Sequence, residues 1–393
     1  MKTLEPSPRK IRFSSLVTRL PGIVPGLLPR IIPGLLGLES FQALKNCIET
    51  RQKNTGFFKF IEYKKARSKL FGRFQAIFPK GYDSLRFVSR RFQKINIEIS
   101  NICNLQCTFC PEVIRSKKTM KPEDFEHISR EVAPLTEMVT YHLMGDPLVH
   151  SKLGSFLEIS ARHETPVFLV TNGTLLDDSR SEALLHPILR QVNFSLHSFP
   201  DNFPDQDPHE YLRRIFDYVD RASAERPDLY LNFRLWNLES PTRFPEANTR
   251  IREQIETRYQ VRLPERVDVR SQKSFKIRDR LYAHYDTEFV WPDPALPKLG
   301  ERGTCYGLRN HFGILVDGTV VPCCLDKEGR IPLGNIHEKP ILEILEAPRA
   351  REILEGFLNR RLVDPLCQRC NYVTRFKLPP KPVGTKGPGS KNS

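Results

Sequence analysis

The run Ile99-Ser100-Asn101-Ile102-Cys103-Asn104-Leu105-Gln106-Cys107-Thr108-Phe109-Cys110-Pro111 decides the fold of this chain. Three thiolates can hold only three corners of a four-iron centre, so one iron is left for a ligand that is not protein. A purely structural metal site would be closed by a fourth side chain. The run follows an alternation of Ile95, Ile97 and Ile99 with Glu98 on the other face, the pattern of a β-strand. The cysteines therefore sit on a loop at the carboxyl end of a strand, where barrels of alternating strands and helices build their active sites.

With an aromatic, Phe109, just before the last cysteine, this spacing resembles the signature of the radical S-adenosylmethionine (SAM) superfamily. The resemblance implies an α/β fold, a partial (β/α)6 barrel, in which Cys103, Cys107 and Cys110 hold a [4Fe–4S] cluster. The open iron would chelate SAM, and one-electron reduction would cleave it to a 5′-deoxyadenosyl radical that takes hydrogen from a substrate. The same resemblance implies a low-potential electron donor such as flavodoxin or ferredoxin.

Outward from the cysteine loop, strand-like runs at 94–100, 137–143, 166–170, 191–196, 229–236 and 266–270 alternate with helical segments. Predicted helices include 122–133, opened by Pro122 with Glu123 and Asp124, and 151–163, capped by Ser151. Met144-Gly145-Asp146-Pro147 looks like the family's Gly-Gly-Glu-Pro motif, which implies that Gly145 and Asp146 lie near the methionyl amine of SAM. By the same resemblance Phe109, Asn172, Ser195 and Arg234 contact SAM. Arg234 lies within an apolar strand and calls for a carboxylate partner, which the methionyl group can supply. His142 and His197, near strand ends, are expected to be packed or hydrogen-bonded rather than catalytic.

Farther on, Cys305 and Cys323 flank a hairpin turning at Asp317-Gly318, an amphipathic helix follows at about 340–356, and Cys367-Gln368-Arg369-Cys370 closes the set. This resembles the auxiliary-cluster (SPASM/twitch) extension of radical SAM enzymes, in its shorter form. It implies a second [4Fe–4S] cluster held by Cys305, Cys323, Cys367 and Cys370, with Cys324 either a substitute for Cys323 or a spare thiol. A four-cysteine structural zinc site has compatible spacing.

The net charge of +15 is concentrated at one end: residues 1–94 hold 20 Lys and Arg against 5 Asp and Glu, and the remainder is balanced at 41 of each. Pro21, Pro25, Pro29 and Pro33 within the apolar segment 16–38 exclude a simple membrane-spanning helix. Phe71, Phe74 and Phe78 line one side of a basic amphipathic helix within 57–78. The expected organisation is a basic extension (1–92), a radical SAM core (93–300), a small twitch-like domain (301–375) and a disordered Pro, Gly, Lys and Ser tail (376–393). The extension suits an acidic partner or an anionic membrane surface. Nine cysteines, all but Cys47 in clusters, and no secretory signal point to a reducing cytoplasm. The expected function is that of an oxidoreductase whose auxiliary cluster accepts an electron from a substrate radical. Alternatives are modification of a ribosomal peptide or of RNA, and a noncatalytic metal-binding adaptor.

Overall fold

The computed structural model describes residues 92–238, 245–288 and 290–376, with the backbone alone for 245–247. The expectations for the segment 16–38, the basic helix within 57–78 and the tail beyond 376 lie outside the described residues.

One ten-stranded sheet organises the chain. Strands β1 (Lys94–Ile97), β2 (Val139–Thr140), β3 (Val167–Thr171), β4 (Leu189–Ser195) and β5 (Tyr230–Leu238) lie side by side in chain order, all parallel. Helices α1 (Pro122–Val132), α2 (Leu153–Arg162), α3 (Asp178–Ala183), α4 (Ser198–Asn202) and α5 (His209–Glu225) occur between them. The crossover form follows from the sequence period, because the longer helices α1, α2 and α5 each bury an apolar stripe in the core that also holds Ile95 and Ile97, both 0% exposed. Phe125 and Ile128 of α1 and Phe156 of α2 belong to the same apolar core, each worth roughly 1.5–3 kcal/mol of burial.

After β5 and α6 (Pro245–Tyr259) the chain departs from the sequence expectation. Residues 266–270 are not a strand: Asp268 accepts the Arg270 N–H with its carboxylate and the Ser271 N–H with its carbonyl, making a turn. The alternation of Arg266, Asp268 and Arg270 with two valines imitates a strand, while polar turn chemistry prevails. The strands come later, as β6 (Ser274–Arg278) and β7 (Leu281–Thr287), with β7 parallel to β5.

The C-terminal part extends the same sheet. β8 (His311–Ile314) pairs in parallel with β1, and β9 (Thr319–Val321) folds back on β8. The connecting turn needs Gly318, whose φ is +86°. β10 (Gly334–Asn335) pairs antiparallel with β9.

Two helix ends also differ from expectation. Ser151 does not cap α2; Lys152 stands at that position, and its N–H donates to His150 Nδ1. The helix at 340–356 is two helices, α7 (Ile341–Glu346) and α8 (Pro348–Leu358). Pro348 lacks an N–H and forces Ala347 into an extended conformation, with ψ at 149°.

Candidate active site

The cysteine loop leaves the end of β1 and is clasped at its base by Asn101. That side chain donates to Ser116 O at 2.8 Å and accepts from the Lys118 N–H at 2.7 Å. Cys103, Cys107 and Cys110 occupy the span between, with a turn closed by Cys110 N–H donating to Cys107 O. Helix α4, after β4, holds the outer part of the loop: Asp201 accepts from the Thr108 N–H and hydroxyl at 2.6 and 2.7 Å, and Asn202 Oδ1 accepts from the Gln106 N–H. Asn202 Nδ2 also donates to Cys107 Sγ at 3.2 Å, and Asn172 Nδ2 reaches Cys103 Sγ at 3.8 Å. Polar N–H groups around thiolate sulfurs tune a bound cluster. Nothing in the sequence singled out Asp201 or Asn202, whose partners lie more than 90 positions away in the chain.

A buried carboxylate anchors the other side of the loop. Glu98, 0% exposed, accepts from Arg115 Nη2 at 2.8 Å, from Val316 N–H at 3.0 Å and from Met144 N–H at 3.3 Å. Burial pushes its carboxyl up, and the Arg115 guanidinium works against that shift. Arg115 also donates to Lys327 O at 2.7 Å, while Glu328 accepts the Ile114 and Arg115 N–H groups. One network thus joins the cysteine loop, the end of β8 and the segment just after Cys323-Cys324.

A cavity of about 590 Å³ opens beside the loop. Phe109, Cys110, Ser195 and Arg234 line it, and so do Cys305, Cys323, Cys324, Cys367 and Cys370. The Arg234 guanidinium lies 3.3 Å from the Trp236 ring centroid, and its Nε has no hydrogen-bond partner. Burial pulls Arg234 down to about 9, against the nearby charge of Asp286, so it is a cation at neutral pH.

Gly145, Asp146 and Asn172 do not line the cavity; they support the cysteine loop. For Asp146 this gives the side chain a structural role beside the loop. Its buried carboxylate is fully engaged by the Leu148 and Asn172 N–H groups and the Thr171 hydroxyl, at 2.7–2.9 Å. For Gly145 it changes the reason for a glycine. With φ at +75°, a Cβ there would lie 2.4 Å from Ser100 O and 2.7 Å from Ile102 O, in the backbone that leads to Cys103.

All eight cysteines among the described residues are free thiols, and no group of three or more His, Cys, Asp or Glu there is placed to hold a single metal ion. Burial raises Cys107 to about 11 and Cys110 to about 12, and neighbouring thiols add to both shifts. Free thiolates are therefore disfavoured at neutral pH, whereas coordination to a metal deprotonates a thiol outright. Cys323 lies among Cys305, Cys324 and Cys367, which raise it further. Cys324 packs with Leu143, Leu315 and Val321 and is influenced by the charge of Lys94. The soft thiol sets on both sides of the cavity fit iron–sulfur clusters.

The family model of the radical SAM superfamily matches residues 97–233, and that of the SPASM iron–sulfur cluster-binding domain matches residues 305–371. The chain belongs to the radical SAM superfamily. It is an enzyme whose cofactors are SAM and [4Fe–4S] clusters. Over 304 residues this radical SAM enzyme is 23% identical to the S-adenosyl-L-methionine-dependent 2-deoxy-scyllo-inosamine dehydrogenase of Niallia circulans, covering 73% of this chain and 96% of that one. It is 29% identical over 130 residues to the Probable GTP 3′,8-cyclase of Methanothermobacter marburgensis, a match spanning 32% of this chain and 42% of the cyclase. Among solved structures, BtrN in complex with AdoMet and 2-DOIA covers 72% of this chain and 94% of its own, at 16% identity and a TM-score of 0.47. No helix among the enzyme's described residues is long and apolar enough to cross a membrane.

Two predictions arise from this geometry. Gly145→Ala should displace the cysteine loop, because the new methyl meets backbone oxygens at a positive φ. Anaerobic iron counting should then show about four irons lost per chain, with the downstream set still loaded. The second concerns His142, His197 and His311, which line the cavity and which burial lowers to about 3, 4 and 4. The unfolded chain binds these protons near pH 6.5 and the folded enzyme does not. Their stabilising contribution is therefore complete above that pH and is lost as pH falls from about 6.5 toward 4. Removing one such proton, as in His142→Asn, should flatten the slope of unfolding free energy against pH in that window by up to about 1.4 kcal/mol per pH unit, read by urea denaturation.

Proposed function

We propose that this enzyme is an oxidoreductase that takes a hydrogen atom from a substrate in the cavity and passes the substrate's electron to an auxiliary cluster. The observation that carries this reading is one cavity lined both by Phe109 and Cys110 and by the thiols from Cys305 to Cys370. In this reading Cys103, Cys107 and Cys110 hold the first cluster, and Cys305, Cys323, Cys367 and Cys370 hold the second. When bound, the first cluster and SAM supply a 5′-deoxyadenosyl radical by one-electron reduction.

The chain's own residues would do the rest. Arg234 pairs with the methionyl carboxylate, Ser195 and Phe109 line the SAM site, and Gly145, Asp146 and Asn172 keep the cysteine loop in place. Apolar walls such as Leu143, Phe168 and Val170 exclude water from the radical. We take residues 93–300 as the radical SAM core and 301–375 as the auxiliary-cluster domain. A flavodoxin or ferredoxin would deliver the electron, and residues 1–92 would meet an acidic partner or an anionic membrane surface. The oxidative outcome is supported by similarity to a dehydrogenase over nearly all of that relative's length.

The test is anaerobic reconstitution with iron and sulfide, followed by dithionite-driven turnover. About eight irons per chain with 5′-deoxyadenosine formed are expected; about four irons with cleavage would remove the second cluster from the reading. Cys370→Ala should keep the first cluster and some uncoupled cleavage while losing substrate oxidation. Normal substrate oxidation in that variant would reduce the second site to a structural role.

A further inference from the structure

We propose that the inner wall of the cavity is a subsite for a carboxylate group of the substrate, built on Lys94. This rests on the reading of the cavity as the substrate site. Lys94 opens β1, at the strand end away from the cysteine loop, and pairs in register with His311 of β8. Lys94, His142 and His311 all line the cavity. The Lys94 ammonium lies 6.0 Å from the Phe168 ring centroid, and that ring packs in a T-shaped contact with His142.

Among the described residues no carboxylate lies within ion-pairing distance of Lys94. The acids nearby are otherwise engaged: Asp326 accepts the Arg330 and Ile331 N–H groups at 2.8 Å, and Asp286 accepts from Lys273 at 2.7 Å. Glu288 also lines the cavity, but it is exposed. Lys94 is half-buried, and a cation drawn partly out of water gains from an anion that pairs with it. Two cations in this cavity, Arg234 and Lys94, have no hydrogen-bonded acid among the described residues. The methionyl carboxylate of SAM would satisfy the first, which leaves Lys94 for a second anion.

The neighbours of Lys94 select the class of anion. His142 and His311 are neutral at physiological pH, and His142 Nδ1 is buried with no hydrogen-bond partner. One ammonium flanked by neutral imidazoles balances a monoanion and would leave a phosphate dianion half compensated. The apolar side chains of Leu143, Phe168 and Val170 would contact the body of a carboxylic acid.

The experiment is calorimetry on the anaerobically reconstituted full-length enzyme with saturating SAM, titrated with benzoate, phenylacetate and hexanoate and with their primary amides. At least one acid is expected to bind about tenfold or more tighter than its amide. Lys94→Met should erase that preference without changing amide affinity, and Lys94→Arg should retain it. Equal affinity for acids and amides, a preference that survives in Lys94→Met, or no binding of any acid would overturn the subsite. Formation of 5′-deoxyadenosine by the same samples separates the two readings. Loss of acid preference with cleavage intact sinks only the subsite, and absence of cleavage sinks only the radical reading.

Discussion

Cys107→Ala is expected to abolish reductive cleavage of SAM, lowering 5′-deoxyadenosine formation by about a hundredfold or more. Cys107 is the middle of three thiols on the loop and the one whose sulfur accepts from Asn202 at 3.2 Å. Alanine removes one of only three protein ligands, and water or a small thiol from buffer cannot reproduce its geometry. Two thiolates from Cys103 and Cys110 would remain on a loop still held by Asn101 and Asp201, so the fold should survive. The checks are iron content, the electron paramagnetic resonance signal of the reduced cluster, and product by chromatography. Cleavage at the wild-type rate would refute the assignment of this loop.

Arg115→Met should cost about 3–5 kcal/mol of stability, the usual penalty for stranding one partner of a buried ion pair. Glu98 is fully buried, and among the described residues Arg115 supplies its only cationic contact. The two backbone N–H groups from Met144 and Val316 would remain but do not neutralise a charge. The sign of the pH dependence follows. Burial already raises the Glu98 carboxyl, so its favourable, protonated form is complete below its unfolded value near 4.5 and is lost as pH rises through the folded value. Without Arg115 that loss deepens, and the variant should weaken relative to wild type as pH rises from 4.5 to 7. Urea denaturation at several pH values measures it. Glu98→Gln in the Arg115→Met background should recover part of the loss, because the amide carries no charge and its single oxygen can still accept one of the two N–H groups, which meet different carboxylate oxygens. Equal stability of Arg115→Met and wild type at pH 7 would show that the pair contributes nothing. Because Arg115 also holds Lys327 O, the variant should in addition loosen the cysteine loop from the segment after Cys324.

Much of this enzyme was legible in its sequence because the signals are local. Alternation at Ile95, Ile97 and Ile99 specifies a strand, and cysteines with three and then two residues between them share a loop whatever the rest of the chain does. Pro122 opens α1 and Gly318 turns the hairpin because each satisfies a backbone requirement within a few residues. At 266–270 the same local reasoning failed, since alternation is also compatible with a turn when Asp268 caps it.

Three features were decided only by the tertiary structure. Asp201 and Asn202 reach the cysteine loop across more than 90 positions of chain, and Val316 reaches Glu98 across 218. The pairing of β8 with β1 turns Cys305–Cys370 toward Cys110 and makes one cavity of two distant cysteine sets. Sequence alone determined where the strands from β1 to β5 fall and how the thiols cluster along the chain, because conformational preference and residue spacing act over a few bonds. Which carboxylate is buried, which amide meets a sulfur and which cation faces the cavity depend on burial and on partners far along the chain. Those are set only when the sheet closes its register and the solvent leaves.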